Sequence, residues 1–192
     1  WKLAINHQYG VSIDLPESVT RATIDARREI NHAVSALRMI PGWEDLTLVT
    51  TATQIGIRDN KRIRGLYELT GEDCMTGRTF SDGVVPASYF LDVHQLSASG
   101  HVEDGKSNRE ARPYQIPMRS LIPQSIRNLM IAGRCISGDF FAHSSYRMTN
   151  TACATGEAVA HAIRSNLSQA DNTAIDGEAV RQVMIKKGYI LE

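Results

Sequence analysis

Apolar side chains recur at helical spacing near the start of the chain. Val19, Ala22, Ala26, Ile30, Ala33, Leu37 and Ile40 fall on one face, and Arg21, Asp25, Arg28 and Arg38 on the other. Pro16 stands where a helix opens and Pro41-Gly42 where one closes, so the pattern predicts a packing helix between them. His32 on that helix has no companion at metal-ligand spacing and reads as a polar-edge residue.

Further on the period shortens. Leu46 to Thr53 is rich in β-formers, and Gln54 to Leu69 continues it with a turn expected at Asp59-Asn60. Thr70 followed by Asp73 resembles a capping box with Asp in place of Glu, which predicts one short helical turn over 70–76. Tyr89 to Gln95 alternates and is expected to be a strand. Ser97 to Arg112 is polar, as a loop would be, and Tyr114 to Met118 is extended between prolines.

Leu129 to Ala132 is a short apolar run ended by Gly133, as a buried strand would be. A helix so rich in Ala and Gly that it invites close backbone approach then begins near Thr149, expected as its N-cap. Its predicted packing stripe is Ala152, Gly156, Val159 or Ala160, and Ile163. After a polar linker, Asp176 can cap a last helix, with Ile175 and Val180 as a hydrophobic staple and Gly188 as its stop. These elements define an α+β fold: a mixed or antiparallel sheet with packing helices.

Composition narrows the function classes. At 192 residues the chain can bury one sizeable core or two unequal lobes. Its 21 basic residues balance 21 acidic ones, so no bulk charge draws it to nucleic acid. No apolar run approaches the roughly 20 residues of a membrane span. Cys74, Cys135 and Cys153 are too dispersed for a disulfide framework or a zinc site. Residue 1 is Trp and the pattern starts mid-run, so the chain is expected to be a piece of a longer protein. It shows no leader pattern, which makes the cytoplasm the default location.

Two stretches carry candidate chemistry. Gly100 to Ser107 reads GHVEDGKS, a formal match to the phosphate-binding G-x-x-x-x-G-K-[ST] pattern. Pro113 and extended residues follow it instead of a helix, and Glu103 and Asp104 would face the phosphates, so a solvated loop is expected. Nucleotide binding there is a remote alternative.

The second stretch runs from Asn128 to Ile163. Gly133 lets a ligand approach the end of the expected strand without a Cβ in the way. Arg134 then offers fixed positive charge to a phosphate or to a structural carboxylate, and the residues leave both open. The amides of Asn150, Thr151 and Ala152 at the expected start of the helix favour an anion or partial negative charge.

NLMIAGRCIS, the later Ser-x-Arg and the small-residue helix resemble the C-terminal half of the FAD-dependent oxidoreductases of the glutathione-reductase-like flavoprotein group. Upstream, IGIRDNKRIRGLYELTGEDCMTGRTFSDGV resembles that family's Arg-bearing strand, I-x-G-x-Y-x-L-T run, acidic turn and G-R-x-F-x-D segment. LDVH resembles its D-x-H strand, and IDGEAVRQVMIKKGYIL its closing helix. Together these blocks cover roughly Leu48 to Leu191 in order, which is more specific than any short match.

The resemblance implies an enzyme passing a hydride or electron pair between a small organic substrate and FAD. It places Gly133, Arg134, Thr149, Asn150, Thr151 and Ala152 against the cofactor, and aligns His143 and Arg147 with positions facing flavin or substrate. It divides the chain into a substrate-side lobe (1–120), the C-terminal part of an FAD-binding domain (121–172) and a closing helix (173–192). Asn150 stands where relatives often have proline, and GDFFAHSSY departs from the commoner T-H-E-A-type segment, so substrate contacts do not transfer. No two glycines are separated by one residue, so G-x-G-x-x-G occurs nowhere. The dinucleotide-binding βαβ unit is therefore expected upstream, in an N-terminal FAD-binding portion of the same protein, and this piece alone is expected to be inactive. The alternative is a non-catalytic interaction domain derived from such an enzyme.

Overall fold

The computed structural model describes residues 6–94, 109–167 and 171–191. The phosphate-loop look-alike at 100–107 lies outside the described residues. The chain forms two compact units, one of residues 1–60 with 96–100 and the other of 61–95 with 101–192.

The first unit is built on α1 (Pro16–Leu37). Pro16 occupies its first turn, where a missing N–H costs nothing, and the Leu15 carbonyl accepts from the amides of Ser18 and Val19. Ala22 and Val34 are buried, and the Asn6 side chain donates to the Ala26 carbonyl at 2.8 Å. The helix stops before Ile40, because a residue preceding proline is pushed out of the helical region. Leu46 to Thr53 forms no strand. Leu48 and Val49 are exposed, and among the described residues of this unit no strand is available to pair with them. β-propensity without a partner does not make a sheet. No turn forms at Asp59-Asn60, where the chain has no regular structure.

The second unit holds α2 (Gly71–Thr76), β1 (Gly83–Ala87), β2 (Tyr114–Pro117), α3 (Phe140–Tyr146), α4 (Thr149–Ser165) and α5 (Gly177–Lys186). β1 and β2 are antiparallel, with Val85 opposite Ile116 and Ala87 opposite Tyr114, and a bulge between Gly83 and Val85. The architecture is α+β, as expected, with an antiparallel pair for its sheet. Helices α4 and α5 pack on β1, and α2 packs on α3. The core between them contains Leu69, Val84, Val85, Tyr114, Ile116 and Met184, all essentially inaccessible. Arg181 of α5 ties that helix to the sheet by donating to the Gly83 carbonyl at 2.9 Å and to Gln115 Oε1 at 3.0 Å.

Helix ends follow the sequence signals where those signals are local. The Thr70–Asp73 capping box is complete. Asp176 caps α5 by accepting from the amides of Glu178 and Ala179, and Val180 is buried. Gly188, at φ +96°, ends it, with its own amide on the Ile185 carbonyl and the Tyr189 amide on the Met184 carbonyl. That double closure is a Schellman arrangement.

Two expected strands are absent. Tyr89 to His94 contributes one bridge, Leu91 to Arg109, and folds back at Leu91, whose carbonyl accepts from the Val93 amide at 3.0 Å. Leu129 to Ala132 also forms no ladder: the Ile131 amide donates to the Leu121 carbonyl at 2.9 Å, and Asn172 Nδ2 to the Leu129 carbonyl. Leu129 is exposed, and Met130 and Ile131 are half-buried, so the run is not the buried strand its composition suggested.

Candidate functional site

The Gly133 turn and the start of α4 lie together. Residues Gly133–Cys135 form a single 3-10 turn, entered through Gly133 at φ +80°, a conformation that L side chains adopt with strain. The Gly133 amide donates to Thr155 Oγ1 at 2.8 Å, and that hydroxyl donates to the Ala152 carbonyl at 2.7 Å. A Cβ added at Gly133 would find its nearest neighbour, the Ala152 methyl, at 4.0 Å. Thr155 is buried and was not singled out in the sequence. A hydroxyl one turn into an Ala-rich helix gives no signal until its distant partner is known.

The helix begins one residue earlier than its composition suggested. Met148, at φ −72° and ψ 149°, is the N-cap, and no side chain caps the helix. Thr149 is therefore the first helical residue instead of the cap. The cause is the preceding helix: the Arg147 amide still closes the last turn of α3 on the His143 carbonyl, leaving Met148 alone to make the corner. The uncapped first-turn amides are those of Thr149, Asn150 and Thr151, because the Ala152 amide is already bonded to the Met148 carbonyl at 2.9 Å. Thr149 and Asn150 are exposed and Thr151 is buried. The buried stripe is Thr151, Ala154, Thr155, Ala158 and Ala162. The predicted stripe through Gly156 and Ile163 lies a third of a turn away, and Ile163 is exposed.

Arg134 is exposed at the end of its turn. His143 is buried within α3, edge-on to Tyr146 at 5.4 Å between ring centres. The side chain of Arg147, at the end of α3, is almost wholly buried and bonds to Asp92. Its Nη2 donates to the Asp92 carbonyl at 2.6 Å and to Asp92 Oδ2 at 2.9 Å. His94 Nε2 lies 3.0 Å from the other carboxylate oxygen. Burial pushes the Asp92 carboxyl up, but the hydrogen bonds from Arg147 and His94 outweigh it and hold the group below its usual range. Thus the D-x-H segment and the Ser-x-Arg segment, 55 residues apart, meet as one cluster.

The other motif block builds scaffold. Asp73 Oδ2 accepts from the Thr70 amide at 2.9 Å and from the Tyr67 hydroxyl at 2.8 Å, while Oδ1 accepts from Arg78 at 2.9 Å. Arg78 and Arg119 both lie within 6 Å of the Tyr67 ring centre, at 5.9 and 5.3 Å. Arg119 makes a two-point pair with Asp82, at 2.9 and 3.1 Å. Burial, then the Asp73 hydrogen bond and charge, push the Tyr67 phenol up to about 12.

The profile of the FAD dependent oxidoreductase family matches residues 2–184. The chain belongs to that family. No curated protein and no solved structure matches it. As a member of the FAD dependent oxidoreductases, it has FAD as its cofactor and a small molecule as its substrate. The residues present fit the flavin end of that cofactor. Uncapped amides on a 17-residue helix, beside a glycine turn with room above it, suit a planar ring with a partly negative edge. They do not supply the glycine loop for the pyrophosphate, since G-x-G-x-x-G is missing from the sequence. Among the described residues, no helix is long and apolar enough to cross a membrane.

Proposed function

We propose that this chain is the substrate-side and closing part of a flavoenzyme of the glutathione-reductase-like group. Residues 1–120 serve the substrate side, 121–172 complete the FAD-binding domain and 173–192 close it. An N-terminal FAD-binding portion supplies the pyrophosphate loop, and without it this chain is inactive. When bound, FAD supplies the acceptor for a hydride or electron pair from a small organic substrate.

The observation that carries this reading is the corner formed by Gly133 and the first turn of α4. The Thr149, Asn150 and Thr151 amides have no side-chain cap, and the Thr155 hydroxyl accepts from the Gly133 amide of the adjoining turn. These amides orient the flavin by its electron-rich edge, and Ala152 keeps the approach free of bulk. Arg134 stands beside the turn as a cation for the cofactor. Arg147 and His143 are the candidates for handling substrate charge or protons, with both side chains buried in the isolated chain.

The test is a visible absorption spectrum of the natural-length protein, purified from its source, with intact mass recorded on the same sample. A yellow protein larger than this chain, bleached by its substrate, is the expected result. A colourless protein of this length, unresponsive to added FAD, would overturn the proposal and leave a non-catalytic interaction domain as the better reading.

A further inference from the structure

The run of residues 129–132 has one side of its backbone in use and the other open. The Ile131 amide donates to the Leu121 carbonyl at 2.9 Å, and the Leu129 carbonyl accepts from Asn172 Nδ2. The amides of the alternate residues, Met130 and Ala132, donate to nothing among the described residues. Ala132 itself is extended, at φ −129° and ψ 165°. Alternate use of backbone groups is the pattern of a strand with one edge paired and the other free.

The side chains around that free edge are apolar and uncovered. Leu129 is 39% exposed, Ile163 48% and Leu167 77%. Met130, Ile163, Leu167 and Ile175 line a cavity of about 220 Å³ at the end of α4, with Asn172 also in its wall. Open amides and an apolar cavity along one short run suit an added strand: the main chain supplies the bonds, and the cavity takes a side chain.

We propose that this edge receives a β-strand from the N-terminal FAD-binding portion of the same protein, laid along residues 130–132 with one apolar side chain in the cavity at the end of α4. The proposal rests on the reading of this chain as the closing part of a flavoenzyme, and adds where the N-terminal portion docks. Position selects that occupant. Ala132 leads directly into the Gly133 turn, whose amide is bonded to Thr155 of α4. A strand running parallel to residues 130–132 therefore ends at the same corner, and ligands of open α/β sheets sit at the carboxyl ends of the strands. The loop leaving that strand then meets the cofactor where this chain offers a corner but has no G-x-G-x-x-G of its own. A second copy of this chain would bring no such loop, and an edge this short is a weak basis for holding two separate molecules together.

The test is hydrogen exchange at the amides of residues 130–132 in the natural-length protein, resolved residue by residue. It is paired with photo-crosslinking from a benzophenone amino acid in place of Leu129. The Met130 and Ala132 amides are expected to exchange about a hundredfold or more slower than free chain, as part of one protected strand with Ile131. The cross-link is expected to join position 129 to a peptide of the N-terminal portion that runs into a glycine-rich loop. Free-chain exchange at Met130 and Ala132 in a larger, flavin-bearing protein overturns this proposal alone. A cross-link to a second copy, to an unrelated protein or to nothing overturns it as well. A natural protein of this length, without flavin, takes the flavin reading down with it.

Discussion

Asp73 is where the fold of the second unit can be tested most directly. Its side chain is 4% exposed and takes three hydrogen bonds, from the Thr70 amide, the Tyr67 hydroxyl and Arg78. Hydrogen bonds to a charged acceptor contribute about 1.5–3 kcal/mol each when buried. The Arg78 bond is discounted towards the low end of about 0–1 kcal/mol, because that side chain is 56% exposed and regains water when released. The other two, with the loss of the α2 capping box, put Asp73→Ala at about 3 kcal/mol after allowing for relaxation. Asp73→Asn keeps one acceptor oxygen for Thr70 or Tyr67 and gives up the charge, so about 1–2 kcal/mol is expected.

The pH dependence has a definite sign. Burial raises the Asp73 carboxyl, but hydrogen bonds from Thr70, Tyr67 and Arg78 prevail and hold it below its ordinary value. A depressed carboxyl stabilises the fold fully above the unfolded value near 3.9 and loses that contribution as pH falls through the folded value. Urea denaturation followed by far-ultraviolet circular dichroism should therefore show the gap between wild type and Asp73→Asn narrowing below about pH 4. A second readout is the Tyr67 phenol, raised to about 12 partly by Asp73. In Asp73→Asn an alkaline absorbance titration should find it lower. Stability within about 0.5 kcal/mol of wild type for both variants, or a gap independent of pH, would refute the assignment of Asp73 as the centre of this network.

Other positions give sharper local tests. Thr155→Val removes the acceptor of the Gly133 amide without changing shape; about 1–2 kcal/mol lost in thermal denaturation, with faster exchange of that amide, is expected. Gly133→Val places a branched side chain at φ +80° and should cost about 1–3 kcal/mol while weakening FAD binding in the natural protein, measured by fluorescence titration. Gly65→Ala drives a Cβ to 2.6 Å from Ser137 Cβ and 3.1 Å from the Arg119 carbonyl. Denaturation midpoints should place that overpacking at about 1–3 kcal/mol. Asp176→Ala removes the α5 cap, for about 1 kcal/mol by the same measurement.

What was legible in the sequence was local. Pro16, the Thr70–Asp73 box, Asp176 and Gly188 act within one turn of chain, and each ends or starts a helix where it was expected to. What was not legible depends on a distant partner. The β-rich run at 46–53 and the apolar run at 129–132 have strand composition, but a ladder requires a neighbouring edge, and neither segment forms one. The start of α4 failed for a related reason. Thr149 is the better capping residue, yet the end of α3 decides where the corner falls. Asp92 could have been found from the D-x-H segment, but only as a motif; that its partner is Arg147 is a tertiary fact.

The motif blocks behind the family resemblance thus divide by physical role, and the division predicts different symptoms for substitutions in each. Tyr67, Asp73, Arg78, Asp82 and Arg119 are tied to one another through hydrogen bonds, a two-point ion pair and ring contacts. Such a network spends its hydrogen bonds on the fold, so a change at its buried centre, Asp73, is expected to lower the amount of folded protein and leave the flavin of the folded fraction unaltered. The first turn of α4 is the opposite case. Its amides lack a side-chain cap although Thr149, Asn150 and Thr151 could each have supplied or displaced one. An uncapped helix start stores no stability of its own, so substitutions at Thr149 or Asn150 should move FAD affinity by more than they move the unfolding midpoint. If instead the two quantities fell in proportion across such a series, the corner would be scaffold like the rest, and the flavin would have to be sought elsewhere.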